Sequence, residues 1–223
     1  MCFQHLAHKR GAVEVFDYRK FDVKLSREVR FAELSWPEPG EAADENCLGC
    51  NREYIDLRLL SWAEAKRTLV AEGRLIARIE QTEELENSVF RAEEDEEAEL
   101  FGLDTGVAST VVALSAARCV PFSSCNGGAF GSRHHEIYPL VAFYAKPETA
   151  NLLLAIAGEV CIGLETNGYG FLVLYSDDIR KFPKFAEAMI SRRKDLNALQ
   201  LSPKRKPRRP IKLPRSGQLE LMF

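Results

Sequence analysis

Long apolar runs are missing from this chain of 223 residues. No stretch approaches the roughly 18 uninterrupted apolar residues of a membrane-spanning helix, and the N-terminal residues lack the apolar core of a secretory signal peptide. These absences predict a cytoplasmic protein without a membrane partner. Thiols stay mostly reduced in that compartment, so the six cysteines indicate metal or redox chemistry before disulfides.

Common enzyme signatures are missing too. The sequence contains no phosphate-binding Walker loop, no dinucleotide-binding glycine pattern after a strand, no His-Glu-x-x-His and no Gly-x-Ser-x-Gly. Whether the chain is an enzyme therefore depends on less specific groups of residues.

The first hundred residues are predicted to form an α+β portion that includes an acidic segment. Residues 11–34 alternate like a strand or hairpin that passes into a short helix at Ser26. A Ser-x-x-Glu capping box starts a helix over residues 61–72, and Gly73 is expected to end it. The alternation of residues 74–79 then predicts a strand.

The second portion, residues 101–200, has the order helix, strand, strand, helix, strand, strand, helix. Its predicted elements are a helix over 106–117, strands over 119–124 and 138–146, a helix over 148–160, a hairpin turning at Asn167 and Gly168, and a helix over 178–199 capped by Asp177. This order predicts an α+β fold, with a mostly antiparallel or mixed sheet and helices on one of its faces. The two portions form either separate units or one continuous domain.

Cys47 and Cys50 are separated by two residues, a spacing that lets two thiolates face one tetrahedral cation. A structural zinc site needs four ligands, and the sequence contains no second pair of this kind. Cysteines and histidines of the second portion would have to complete the site through the fold. The pair suggests zinc as a cofactor, with a reduced surface loop or a redox pair as alternatives.

The second candidate site is Cys125, which opens a glycine-rich loop. His134 and His135 follow shortly after it. A thiol at a strand-to-loop corner, close to backbone amides and within reach of an imidazole, has the ingredients of an activated nucleophile. On this interpretation Cys125, His134 and His135 are catalytic residues of an enzyme that acts on a nucleotide or a small molecule.

The same loop also has the composition of an anion-binding site. Glycine amides can form a nest for an anion, and a neighbouring arginine supplies positive charge. Here these residues are Gly127, Gly128 and Arg133. A tight corner without function is the third interpretation. The run Ser-Ser-Cys-x-Gly over residues 123–127 resembles the strand end of wybutosine-synthesis methyltransferase-like proteins, which implies an α+β fold without indicating a function.

The last residues of the chain differ in composition from the rest. Residues 201–223 contain seven cations and one acid, a net charge of +6, so residues 1–200 carry −9. Four prolines and the mutual repulsion of the cations predict a disordered, extended tail. An acidic body repels duplex DNA on average, whereas this basic tail attracts phosphates. The predicted phosphate contacts are Lys204, Arg205, Lys206, Arg208 and Arg209.

The sequence ends with Gln-Leu-Glu-Leu-Met-Phe, which places apolar side chains behind the basic tail. Apolar area left in water commonly marks a surface that a partner covers. The peptide resembles the short motif Gln-Leu-x-Leu-x-Phe by which bacterial replication and repair proteins dock on the DNA sliding clamp. The resemblance implies that Gln218, Leu219, Leu221, Met222 and Phe223 bind the clamp, with the apolar side chains in adjoining pockets. Folding of this peptide back onto the body is the alternative.

These observations lead to three hypotheses of function. The first is a protein of DNA replication or repair, or of a mobile element or defence system, that is recruited to the bacterial sliding clamp and so to the nucleoid. The second is an enzyme that uses the Cys125 loop. The third is a zinc-stabilised interaction module.

Overall fold

The computed structural model describes residues 20–37, 60–81, 99–131 and 136–201. In chain order its helices and strands are α1 (Trp62–Gln81), α2 (Ala108–Ala116), β1 (Val120–Cys125), β2 (Leu140–Tyr144), α3 (Pro147–Val160), β3 (Gly163–Thr166), β4 (Leu172–Tyr175), α4 (Lys181–Ser191) and α5 (Arg193–Leu201). The predicted α+β fold is confirmed. No helix in this described part of the chain is long and apolar enough to cross a membrane.

The four strands form one antiparallel sheet in the order β1-β2-β4-β3. Helix α3 carries the chain from β2 to β3 at the sheet edge, and β4 then returns between them. The predicted hairpin joins β3 to β4, where Asn167 Oδ1 accepts a hydrogen bond from Tyr169 N at 2.9 Å. Gly168 adopts a φ of +85° in this turn, a conformation that glycine reaches without steric cost.

One hydrophobic core lies between the helices and the sheet. Among its largest fully buried side chains are Phe143 of β2 and Phe182 and Phe185 of α4. Every residue of α2 is buried, as its small and apolar composition predicts. Leu75 and Ile79 of α1 belong to the same cluster. The described parts of the two predicted portions therefore share one core.

Helix α1 is longer than predicted. Its capping box is confirmed, because Ser61 N donates to Glu64 Oε2 at 2.5 Å and Glu64 N donates to Ser61 Oγ at 3.4 Å. The predicted end at Gly73 and the predicted strand over residues 74–79 are wrong, since the helix continues through both. The buried residues of α1 share one helical face: Ala65, Thr68, Ala71, Glu72, Leu75 and Ile79. Packing along that face outweighs the roughly 1 kcal/mol that an interior glycine costs.

Residues 20–37 run along the sheet edge, and the predicted helix at Ser26 is absent from them. The amides of Leu164 and Thr166 in β3 donate to the carbonyls of Ser26 (2.9 Å) and Glu28 (3.2 Å). Backbone must be extended to meet an edge strand in this way. Pairing with β3 therefore replaces the helix, and the rest of the predicted strand or hairpin, over residues 11–19, lies outside the described residues.

The predicted helix over residues 178–199 is in fact two helices. α4 begins at Lys181, and the chain bends at Arg192 before α5. Asp177 does not cap α4, because Arg180 occupies the N-cap position and no side chain caps the helix there. The carboxylate of Asp177 accepts a hydrogen bond from Lys181 Nζ at 2.6 Å. The backbone of Asp178 instead accepts from Lys181 N at 3.1 Å and closes the turn that precedes α4.

Gly106, just before α2, cannot take a side chain without strain. Its φ is +99°, and an added Cβ would lie 2.5 Å from Ile179 Cγ1. We expect Gly106→Ala to lower the free energy of unfolding by about 2 kcal/mol or more, because backbone strain and crowding both oppose it. Urea unfolding followed by circular dichroism measures the change.

Gly73 provides the matched control. It lies within α1, and an added Cβ would meet nothing within 4 Å. Gly73→Ala is expected to raise the free energy of unfolding by roughly 0.5–1 kcal/mol. Equal stability of the two alanine variants would contradict the role of Gly106.

Candidate functional site

Cys125 ends strand β1 and is mostly buried, with 8 % of its surface exposed. Burial raises the pKa of its thiol, and the carboxylates of Asp104 and Glu136 add to that shift against the backbone hydrogen bonds that oppose it. These surroundings favour the neutral thiol over the thiolate that acts as a nucleophile. His134 and His135 lie outside the described residues, so their position relative to Cys125 stays a prediction.

The glycine amides of the Cys125 loop donate within the loop itself. Gly127 N donates to Cys125 Sγ at 3.3 Å. Gly128 N donates to Asn126 Oδ1 at 3.1 Å. An anion nest instead requires such amides to point at the ligand. The geometry of these two glycines favours a closed corner, and Arg133, the predicted positive charge, lies outside the described residues.

Packing explains why glycine occupies position 127. Its φ is +68°, and an added Cβ would lie 2.5 Å from the carbonyl carbon of Tyr138. The backbone that leads into β2 passes directly over this corner, so a side chain would displace main chain. Gly127 is therefore required by the fold, whether or not the loop binds a ligand.

Asn126 ties the Cys125 loop to the loop that precedes α2. Its side-chain Nδ2 donates to the carbonyl of Thr105 at 3.1 Å, and its backbone N donates to Asp104 Oδ2 at 3.3 Å. Asn126 is buried, so these bonds are shielded from water. The position of Cys125 consequently depends on how the chain is held just before α2.

A buried carboxylate, Glu72 of α1, holds that part of the chain. Its Oε1 accepts from the amides of Gly106 and Ala108, each at 2.9 Å. Its Oε2 accepts from Ser109 N at 3.3 Å and from Ser109 Oγ. The amides are the unpaired donors at the start of α2, where the helix dipole favours negative charge. Glu72 thus caps α2 from a neighbouring helix.

Glu72 was missed in the sequence, although the sequence contains a signal for it. An acidic residue stands there on the apolar face of a helix, at helical spacing from Thr68 and Leu75. A buried acid is an informative exception to the usual distribution of residues. The predicted helix end at Gly73 hid the signal, because it placed Glu72 at a helix terminus where polar residues are ordinary.

A second ionic cluster joins the N-terminal described segment to the start of α4. Asp178 Oδ2 lies 2.8 Å from Lys20 Nζ and 2.6 Å from Arg180 Nη2. Burial opposes the charge of Asp178, but the hydrogen bonds from Arg180 and Lys20 prevail and lower the pKa of its carboxyl. Asp178 is therefore an ionised structural contact.

A groove of about 630 Å³ runs along the exposed side of α1 and reaches Glu99 and Phe101. Val70 and Phe101 contribute apolar surface to it, and Val70 is 54 % exposed. Lys66 and Arg67 also line the groove. The sequence did not predict this feature, because the groove brings together residues that are far apart in the chain, such as Val70 and Phe101.

The remaining predicted sites lie outside the described residues. Cys47 and Cys50, the predicted zinc ligands, are among them, as are the predicted phosphate contacts over residues 204–209. So is Gln218–Phe223, which we call the clamp-like peptide. Within residues 20–37, 60–81, 99–131 and 136–201, no group of three or more His, Cys, Asp or Glu is placed to hold a metal ion. Zinc and both binding segments stay predictions.

Comparison of the chain with protein-family models, with curated proteins and with solved structures gives no match. The resemblances of the clamp-like peptide and of residues 123–127 to known families therefore also stay predictions. Functional inference has to come from the chemistry of the chain itself.

Glu72 is expected to make stability depend on pH. Burial raises the pKa of its carboxyl from 4.5 to about 7, against the hydrogen bonds that lower it. The folded state thus holds this proton more tightly than the unfolded chain, so stability falls as pH rises between these two values. From about pH 5 to about pH 8, the free energy of unfolding should fall by about 2 kcal/mol more in the wild type than in Glu72→Gln.

Glutamine is a suitable replacement because it imitates the protonated acid. Its oxygen can accept from the amides of Gly106 and Ala108, while its NH₂ can donate to Ser109 Oγ. Only the bond from Ser109 N, at 3.3 Å, has no acceptor in this variant, and its loss is the same at every pH. Urea unfolding at several pH values measures the difference, and parallel pH curves for Glu72→Gln and the wild type would contradict the raised pKa. Glu72→Ala is expected to cost about 3 kcal/mol near pH 5, because it leaves buried donors without an acceptor and opens a cavity. This cost should shrink as pH rises, since the wild type loses stability there and the alanine variant has no carboxyl to titrate.

Cys125 is expected to react slowly with iodoacetamide near neutral pH. Cys161 is exposed at the end of α3 and serves as the comparison within the same molecule, while buried Cys119 marks the slow limit. Alkylation of Cys125 should be at least about tenfold slower than that of Cys161, because its thiol is buried and protonated. Time-resolved labelling with mass spectrometry of the peptides gives both rates. Labelling of Cys125 as fast as Cys161 would instead favour the activated nucleophile.

Proposed function

We propose that this chain is recruited to the bacterial sliding clamp through the clamp-like peptide. The observation that carries the proposal is the match of Gln218, Leu219, Leu221 and Phe223 to all four specified positions of the clamp-docking motif. A few apolar anchors entering pockets supply most of the binding energy in peptide recognition of this kind. Gln218 adds hydrogen bonds at the edge of the peptide-binding groove of the clamp.

The chemistry of the described residues favours recruitment over catalysis by the folded body. Cys125 is buried with a raised pKa, and the amides of Gly127 and Gly128 are occupied within the loop. The Cys125 enzyme thus has less support than the clamp-recruited protein.

We assign residues 202–217, which we call the basic segment, to the phosphates of DNA next to the clamp. This segment contains seven cations and no acid. As a flexible chain, a segment of this length spans roughly 20–24 Å, and more when prolines extend it. Phosphate contacts along it raise the effective concentration of the peptide at the clamp and weaken with added salt. The two segments together locate the body at clamp-bearing DNA.

The proposed location serves several processes equally. Proteins of replication and repair use the clamp, and so does a mobile element or defence system that exploits it. A short peptide with flexible attachment is compatible with each of these roles, because the clamp reads the peptide and not the body. The proposal therefore specifies the partner and the place of action.

Anchor residues of the clamp-like peptide should control binding to a purified bacterial clamp. In a titration of the full chain, Leu221→Ala and Phe223→Ala are each expected to weaken binding by about tenfold or more, because each empties a pocket. Ser216→Ala is the matched control, since that position lies just before the motif, and it should change affinity by less than about twofold. Absence of clamp binding by the wild type, or equal affinity of all three variants, would refute the proposal.

A further inference from the structure

The groove on α1 presents apolar surface that the described residues leave open. Val70 is 54 % exposed in the middle of the helix, and the side chains of Ala63 and Phe101 extend the same lining. Exposed contiguous apolar surface commonly has an occupant. The occupant can be a segment of this chain or another molecule.

The last described helix, α5, is joined to the first residue of α1. Trp62 Nε1 donates to Asn197 Oδ1 at 2.8 Å, which joins the first residue of α1 to α5. Leu201, the end of α5, is one turn further on, roughly 6 Å along the helix axis. The groove lining starts at Ala63, the next residue after Trp62. Residues 202–223 therefore follow a helix that is attached to the same end of α1 at which the groove lining begins.

The basic segment is long enough to deliver the clamp-like peptide to every part of the groove. Between its α1 lining residues Ala63 and Arg74, the groove follows the helix for roughly 16 Å. The basic segment spans roughly 20–24 Å as a flexible chain. The clamp-like peptide can therefore reach the groove of its own molecule.

The clamp-like peptide also has the chemistry to fill the groove. Its two leucines and Phe223 match the apolar surface of Val70 and its neighbours. Three cations and two acids line the groove, a net charge of +1: Lys66, Arg67, Arg74, Glu64 and Glu99. The one charged residue of the peptide, Glu220, is opposite in sign to this net charge. The basic segment has the wrong charge and few apolar side chains. Charge and hydrophobicity together favour the clamp-like peptide as the occupant.

We infer that the groove on α1 binds the clamp-like peptide of the same chain and thereby competes with the clamp, an autoinhibitory role that rests on the proposed function. The same apolar side chains cannot occupy both sites at once. The apparent affinity for the clamp is lowered by the fraction of molecules in which the peptide is docked. With effective concentrations near the millimolar range for a short flexible connection, even a weak groove shifts this fraction severalfold.

Docking in one molecule is tested without the clamp by methyl NMR on the full chain. The methyl resonances of Val70 should shift between the wild type and a Leu221→Ser/Phe223→Ser variant, while those of Val111, buried in α2, stay in place. The difference should be independent of protein concentration. An unchanged Val70 spectrum overturns the inference, and a shift that disappears on dilution overturns it in favour of docking between two copies.

The competition is tested by clamp titration of full-length groove variants. Val70→Asp is expected to raise clamp affinity by about threefold or more, because it expels the peptide from the groove. Ala77→Asp is the matched control, since it adds the same charge to an exposed site of α1 outside the groove lining, and it should leave affinity unchanged. Lys66→Glu gives a second, milder groove variant if Val70→Asp lowers stability. Equal affinities for both groove variants and the control overturn the competition.

The two tests separate this inference from the proposed function. If no variant binds the clamp, the proposed function fails, while the Val70 resonances still report whether the peptide docks. If the wild type binds the clamp but Val70 neither shifts nor affects affinity, the groove inference fails and recruitment stands.

Discussion

The described fold depends on a buried carboxylate that faces the start of a buried helix. Glu72 is removed from water, and every residue of α2 is too. An isolated charge in such a place is costly, and so are helix-start amides without acceptors. Each group satisfies the other, because the acid supplies the acceptors and the amides solvate the acid. Removal of either the carboxylate or the amides would leave the other buried without a partner. Hydrogen bonding as well as packing therefore fixes the position of α1 relative to α2.

The consequences of this contact extend to residues that never touch Glu72. The amide of Gly106 is one of its donors, and the residues just before it bind Asn126, which precedes the corner glycine Gly127. Cys125 stands at the end of this series of hydrogen bonds. Its burial and its raised pKa are therefore properties of the whole α1–α2 arrangement, and a cysteine in a glycine-rich loop needs no catalytic role to be held so firmly.

Local backbone preferences explain which elements could be predicted from the sequence. The Asn167-Gly168 turn and the helix start at Pro147 follow from φ preferences that act without tertiary contacts. The helix end predicted at Gly73 is wrong because a glycine inside a helix costs little stability. Burying each large apolar side chain further along α1 gains roughly 1.5–3 kcal/mol, which is more than that cost. The role of Glu72 was beyond local reasoning, since its donors lie 34 to 37 residues away in the sequence. The packing of the whole core determines which distant segments come into contact. A short stretch of sequence does not contain that information.

In the proposed function, binding to the clamp and to DNA is assigned to residues 202–223 and not to the folded body. Residues 1–200 have a net charge of −9, so the body is repelled by DNA on average, and attachment has to come from the oppositely charged residues that follow. Under this proposal, two weak attachments, a short peptide and a row of cations, combine into a useful affinity because each raises the local concentration of the other. A groove that competes for the peptide would lower the apparent affinity for the clamp by a constant factor, the fraction of molecules in which the peptide is free. The affinity of the proposed recruitment would then be set by the folded body as well as by the peptide.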